Sequence, residues 1–175
     1  MSGPRASRAE SVYLELVGSY QSAILNYIYR LVGDADLAED LTQETYIKAY
    51  RALERLDLDE NAESRRRAWL YRIAHNTATD HLRRQARLRW LSLDAVRHRG
   101  GGDPAGPLAE SAPVREALAK LTDDQRQVLL LFGHAGLEAT EVAEVLAISP
   151  EAARKRWQRA REAFEATYQD ITGDA

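Results

Sequence analysis

The chain has no cysteine among its 175 residues, so it can build neither a disulfide framework nor a thiolate metal site. That absence fits a reducing cytosol. No apolar run approaches the roughly 20 residues that a membrane-spanning helix needs. The N-terminal MSGPRASRAES lacks an apolar core behind its charges, which excludes a secretory signal. Residues 1–10 read as a short disordered lead-in. Catalytic signatures are missing as well: HExxH, a P-loop and G-x-S-x-G do not occur. The four histidines, 75, 81, 98 and 134, form no cluster, since His75 and His81 stand six apart on different faces of a helix and the others are remote. They read as solvated or capping groups. No enzyme activity, metal ion or cofactor is expected.

What the chain does have is charge, sorted by sign. Residues 33–63 carry ten acids against three bases, a formal −7, whereas Arg65–Arg99 carries ten arginines against two acids, a formal +8, inside a total of −3. A sign reversal between adjacent segments implies two partners of opposite charge or one intramolecular pairing. The basic stretch also holds Trp69, Tyr71 and Trp90. Arginine neutralises phosphate and exposed rings stack on bases, so nucleic acid suits this stretch, and a solvated arginine-rich helix is the bland alternative.

Hydrophobic periodicity predicts helices throughout. The first runs from Ser11, read as its N-cap, to Val32, with Leu14, Val17, Ala23 or Ile24, Tyr27 or Ile28, and Leu31 inward. Gly33 suits the left-handed position that ends it, and Asp34 caps the next helix. That second helix spans 34–56 with Leu37, Leu41, Tyr46, Ala49, Tyr50 and Leu53 toward the core. Asp36, Asp40 and Gln43, at i, i+4 and i+7, share an exposed face. After the acidic turn 57–64, a third helix covers Arg65 to Leu91, with Trp69, Ile73, Asn76 or Thr77, and Leu82 inward.

Residues 98–113 hold four glycines and three prolines in sixteen positions. Glycine loosens the chain and proline interrupts helix, so this is read as an interdomain linker. Beyond it lie shorter helices. Val114–Leu121 is one. Thr122-Asp123-Asp124-Gln125 is a capping box that opens the next, through Phe132 or His134. Gly133 and Gly136 break it, and Ala139–Ala147 follows with Val142, Val145 and Leu146 inward. Ser149 then caps a last helix from Pro150 to about Gln169, whose inward stripe is Ala153, Trp157, Ala160, Phe164 and Tyr168. Its first half exposes Arg154, Lys155, Gln158, Arg159 and Arg161. A short helix, a tight turn and a longer helix with a basic N-terminal half describe a helix-turn-helix, whose second helix enters the major groove. An ordinary helical hairpin is the plain alternative.

Four segments, AEDLTQETYIKAYRAL (38–53), AWLYRIAHNTATDHLRR (68–84), ALAKLTDDQRQVLLL (117–131) and EVAEVLAISPEAARKRWQRARE (141–162), occur in this order. Together they resemble the extracytoplasmic-function (ECF) branch of bacterial sigma-70 RNA polymerase sigma factors, over nearly all of residues 11–168. The resemblance implies an all-α chain of two small helical domains: a three-helix sigma region 2 over 11–97, a flexible linker over 98–113, and a helix-turn-helix sigma region 4 over 114–169. It implies a cytoplasmic alternative sigma factor that docks on core RNA polymerase, recognises the −35 and −10 promoter elements and promotes melting. Asp40, Gln43 and Glu44 match the motif that docks on the clamp helices of the largest polymerase subunit. Asn76 matches a position near the flipped −10 base, with Arg65, Arg66, Arg67, Thr77, Asp80, Arg83 and Arg84 in the same promoter-facing region. Flipping a base costs a few kcal/mol of stacking, which a pocket must offset. Arg154, Lys155, Gln158, Arg159 and Arg161 fall on the helix that reads the −35 element.

The chain departs from the family pattern in three places. Ala147 stands where a glycine usually ends the first helix of the helix-turn-helix, and alanine resists positive φ by roughly 1 kcal/mol or more. Glu151-Ala152-Ala153 replaces a usual Gly-Thr-Val, which adds an acid near DNA and drops a hydroxyl. Glu138 stands where Ser or Thr commonly caps. A stand-alone helix-turn-helix regulator is the alternative function, and it leaves the acidic 33–63 segment without a role. Only QDITGDA follows Tyr168, so no sensor domain is expected and control is expected from an anti-sigma factor.

Overall fold

The computed structural model describes residues 4–53, 63–91 and 111–173, with side chains from 9–53, 63–88 and 111–173. Trp90, His98, residues 54–62 and residues 92–110 lie outside that description, and with them the expectations for the acidic turn and most of the 98–113 stretch. The described residues contain seven α-helices and no strand. They fall into two compact units that divide between Gly101 and Gly102.

The first unit packs α1 (Pro4–Val32), α2 (Ala35–Leu53) and α3 (Glu63–Leu91) against one another. Helix α1 begins at Pro4, so residues 4–10 are helical rather than a disordered lead-in, and Ser11 lies inside the helix rather than capping it. Proline is well suited to a first helical position, because its missing N–H would have no partner there. The buried face differs from the expected one at its N-terminal end. Ala9, Val12, Leu16, Ile24, Tyr27, Ile28 and Leu31 are buried, while Leu14 is 64% exposed. Gly33 takes the left-handed conformation at φ 74°. Asp34 Oδ1 accepts from the Leu37 N–H at 2.9 Å and so caps α2.

Helix α2 buries Leu41, Tyr46, Ala49 and Leu53 as their spacing predicts, and Ala38 is buried where Leu37 was expected, Leu37 being half-buried. Tyr50, expected in the core, is instead 50% exposed and sets its ring edge-on to Tyr13 of α1, centroids 5.1 Å apart. Helix α3 buries Trp69 as expected, together with Ala68, Leu70, Tyr71, Ala74, His75, Thr77, Ala78 and Thr79. Beyond Tyr71 its buried side chains are small or polar, with threonines and a histidine filling core positions. His75 is therefore a core residue and not a solvated one.

In the second unit α4 (Ala112–Lys120), α5 (Asp123–Leu129) and α6 (Ala139–Leu146) pack on α7 (Pro150–Thr172). Helix α4 starts two residues ahead of the expected Val114, with Ser111 at its N-cap and Pro113 in its first turn. A proline there opens a helix as readily as it blocks one elsewhere. The Thr122 capping box is present: Thr122 Oγ1 accepts from the Gln125 N–H at 3.3 Å, and Gln125 Oε1 accepts from the Thr122 N–H at 3.1 Å. Arg126 reaches back to α4, its guanidinium donating to the carbonyls of Leu118 at 2.8 Å, Ala119 at 3.3 Å and Leu121 at 3.2 Å. These carbonyls are at the C-terminal end of α4, where the regular i to i+4 bonds run out; Leu118 accepts in addition from the Leu121 N–H at 3.3 Å.

Helix α5 runs on into a π-helical turn, Leu130–His134, in which the Ala135 N–H bonds to the Leu130 carbonyl at 2.8 Å. Gly133 sits within this turn rather than breaking it. A methyl group there would stand 3.2 Å from Trp157 Cη2 of α7, so glycine allows Trp157 to lie against the turn and face Phe132 at 5.2 Å between centroids. Gly136, at φ 63°, makes the break. Helix α7 extends past Gln169 to Thr172, where Gly173 at φ 71° terminates it.

Candidate partner and nucleic-acid interfaces

On α2 the spacing that buries Leu41, Thr45 and Ala49 turns Asp36, Asp40, Gln43 and Glu44 to solvent, and all four are exposed. Ile47 and Arg51 continue the same face at i+11 and i+15 from Asp36. Ile47 is 51% exposed. The sequence reading did not single out Ile47, although its place four residues after Gln43 was a usable signal. The face is thus acidic at its N-terminal end and apolar further along. At its edge Glu44 pairs with Lys48, Oε1 to Nζ 2.8 Å, and the same ammonium donates to Thr77 Oγ1 of α3 at 3.1 Å.

Helix α3 shows solvent a narrow ridge. Arg65, Arg72, Asn76, Asp80, Arg83 and Arg87 step by 7, 4, 4, 3 and 4 residues, and each is exposed. Such steps keep side chains on one side of a helix. Arg84 is exposed beside this line, while Asp80 and Arg83 pair loosely at 3.5 Å. Arg72 and Arg87 were not expected there; only the burial of their neighbours distinguishes them from the other arginines.

Three residues expected on this surface are placed differently. Thr77, at 2% exposure, is buried and engaged by Lys48. Arg66 turns toward α1, where its guanidinium lies 3.6 Å from Glu15 Oε1. Arg67, also partly buried, lines a small recess with Tyr20, Glu63 and Ser64. Of the arginine triplet, Arg65 alone is classed as exposed.

In the helix-turn-helix, Ala147 adopts φ 52° and ψ 47°, the left-handed geometry for which glycine is usual. The Ile148 N–H to Ala143 carbonyl bond, 3.1 Å, closes the turn. At the entry to α6, Glu138 occupies the N-cap, and its N–H donates to the carboxylate of Glu141 at 2.8 Å. This bond from the N-cap N–H to the N3 carboxylate is one arm of a capping box. Ser149 Oγ accepts from the Ala152 N–H at 3.1 Å and starts α7. Ala153 and Ala160 are buried, which turns Arg154, Lys155, Gln158, Arg159 and Arg161 outward, with Arg156 exposed further round. Three of these are held by acids one turn away: Lys155 by Glu151 at 2.8 Å, Gln158 by Glu162 at 3.3 Å, and Arg161 by Glu165 at 3.5 Å. Exposed pairs of this kind contribute at most about 1 kcal/mol, so a phosphate can displace them.

No described helix is long and apolar enough to cross a membrane. Profiles of known families match both units, sigma-70 region 2 over residues 16–88 and sigma-70 region 4 over residues 111–164. The ECF RNA polymerase sigma factor SigC of Mycobacterium tuberculosis is 35% identical, over 81% of this chain and 77% of its own. The chain belongs to the ECF branch of the sigma-70 family.

This alternative sigma factor is also similar to the RNA polymerase sigma-H factor of Pseudomonas aeruginosa, 36% identical over 91% of this chain and 88% of that one. Among solved structures, CnrH in complex with the cytosolic domain of CnrY superposes with a TM-score of 0.68, covering 98% of this chain and 97% of that one at 26% identity. RpoE of Bartonella quintana, in complex with the anti-sigma factor NepR, shares the fold at a TM-score of 0.72 over 94% of this chain and 98% of that one, with 24% identity. Sigma factors are non-enzymatic initiation factors, which accords with the lack of catalytic signatures. The α1–α3 unit is its region 2 and the α4–α7 unit its region 4.

Proposed function

We propose that this ECF sigma factor docks on the clamp helices of the largest core polymerase subunit through α2, and reads promoter DNA through α3 and α7. Asp40, Gln43 and Glu44 form the centre of the docking face, with Asp36 and Ile47 extending it. Arg65, Asn76, Asp80, Arg83 and Arg84 face the −10 element, joined by Arg72 and Arg87. Thr77, Arg66 and Arg67 support that ridge from within. Arg154, Lys155, Gln158, Arg159 and Arg161 face the −35 element. The work is done in the cytoplasm, and an anti-sigma factor that covers these faces keeps the protein from polymerase.

One observation carries this reading: two neighbouring helices of region 2 present exposed faces of opposite character. The acidic and apolar α2 face repels phosphate and suits a protein surface with basic groups. The arginine ridge suits the phosphate backbone, where released counterions drive binding. A stand-alone DNA reader has no use for the first face.

Labelled protein titrated with core polymerase tests the division. Asp40→Ala with Glu44→Ala weakens core binding at least tenfold, while Asn76→Ala and Arg154→Ala leave it within twofold. The last two weaken promoter binding by the assembled holoenzyme instead. Equal core affinity for all variants contradicts the docking assignment.

A further inference from the structure

We infer that Lys48 is a positioning residue for strand opening, a bridge that holds the promoter helix to the docking helix beside Asn76. The inference rests on the docking and −10 assignments above. Lys48 stands on α2, one turn after Glu44, and its ammonium contacts both Glu44 Oε1 at 2.8 Å and Thr77 Oγ1 at 3.1 Å. Glu44 belongs to the docking face, and Lys48 lies between it and α3. Thr77 belongs to the core beneath the arginine ridge, and the next residue toward the N-terminus, Asn76, is on that ridge.

The chemistry of the two contacts differs. Glu44 and Lys48 have side chains 48% and 44% exposed. Water screens such a pair, so it is easily exchanged for another partner. The Thr77 hydroxyl is buried, and an ammonium donating to it is a charge-assisted bond in a drier setting, which is stronger and more directional. An ammonium has three donors and no acceptor, so Lys48 can hold both oxygens at once. A basic group of the polymerase that takes Glu44 competes with Lys48 for the carboxylate. The lysine then keeps Thr77, and its charge is directed to α3. The turn that carries Asn76 is thereby fixed in azimuth relative to α2 while the helix bears the load of an unstacked base. Docking and base capture are linked through one side chain rather than through the helix backbone alone.

The test uses holoenzyme assembled from purified core polymerase and the full chain, on a promoter found by mapping transcript starts after overexpression. Core affinity and the rate of open-complex formation, followed by permanganate reactivity of −10 thymines, are measured for wild type, Lys48→Met, Thr77→Val, the double variant and Thr77→Ser. Lys48→Met and Thr77→Val each slow opening about fivefold, as suits one partly screened charge-assisted hydrogen bond. Opening is measured at core concentrations that saturate every variant, so that a change in core affinity does not enter the opening rate. The double variant opens no more slowly than the slower single, because both remove the same bridge. Thr77→Ser, which keeps the hydroxyl, opens at close to the wild-type rate, an outcome that a merely steric role of Thr77 does not give. The inference is overturned if Lys48→Met opens at the wild-type rate, if the two losses multiply in the double variant, or if Thr77→Ser is as slow as Thr77→Val. Wild-type holoenzyme that opens no promoter overturns the assigned function and this inference together, whereas normal opening by Lys48→Met overturns the inference alone.

Discussion

Tyr27 and His75, 48 residues apart in sequence, meet inside region 2 with the tyrosine hydroxyl 3.0 Å from imidazole Nδ1. Burial holds both groups neutral. It raises Tyr27 well above the usual phenol range, and it lowers His75 to about 4, with the Arg83 charge adding to the shift and Asp80 opposing it. In that state the two groups share one neutral hydrogen bond, whose direction follows the imidazole tautomer. The contact joins α1 to α3 one residue from Asn76.

The His75 shift makes region 2 sensitive to acid. The folded pKa lies below the ordinary 6.5, so as pH falls the unfolded chain takes up the proton first. Stability from this group is complete above pH 6.5 and is lost between 6.5 and about 4, to a total of about 3 kcal/mol. Urea denaturation of the full chain across pH 5–6.5 reads this slope. His75→Gln, which offers a neutral acceptor to Tyr27, flattens it. An unchanged slope in that variant contradicts the assignment.

Ala147 carries backbone strain that glycine does not. An L-residue in the left-handed region costs roughly 1–2 kcal/mol, offset in part by the greater freedom of glycine in the unfolded chain. Ala147→Gly therefore stabilises region 4 by about 0.5–1 kcal/mol and raises its melting temperature by a few degrees. Calorimetry decides the matter, and a lower melting temperature refutes it.

Glu151 restrains Lys155 on the face of α7 proposed to meet the −35 element, since its carboxylate lies 2.8 Å from the ammonium and both are exposed. Glu151→Gln frees the lysine and removes an acid from beside the phosphates, so holoenzyme binds promoter duplex about two- to threefold more tightly at low salt. The gain shrinks as salt rises. The substitution also loses a few tenths of a kcal/mol of favourable helix-dipole interaction, visible in melting but not in binding. Weaker promoter binding at low salt contradicts this placement of Glu151.

Much of this architecture is legible in the sequence because it depends on local chemistry. Asp34, Thr122 and Ser149 cap helices through atoms three residues away, and Gly33 and Ala147 mark turns by position. The exposed α2 face proposed for docking is legible for the same reason: Asp36, Asp40 and Gln43 at i, i+4 and i+7 lie on a helix with a clear apolar stripe. Helix α3 is not legible in this way. It buries alanine, threonine and histidine, types that carry little hydrophobic signal, so Thr77 could not be told from its exposed neighbour Asn76. Likewise Arg66 differs from Arg65 only through Glu15 of α1, a contact that no local pattern encodes. Leu14 and Leu16 both fit an apolar series in α1, and only packing against α2 and α3 selects the stripe through Ala9, Val12 and Leu16.

The central claim is that one chain joins a protein-docking face on α2 to DNA-reading faces on α3 and α7, and so gives core polymerase promoter specificity. Run-off transcription from a mapped promoter, with purified core polymerase and the full chain, tests it most directly. The account predicts a transcript that needs both core and this protein, and that disappears with Asp40→Ala plus Glu44→Ala or with Arg154→Ala plus Arg159→Ala. A transcript indifferent to the protein, or promoter binding as tight without polymerase as with it, contradicts the account.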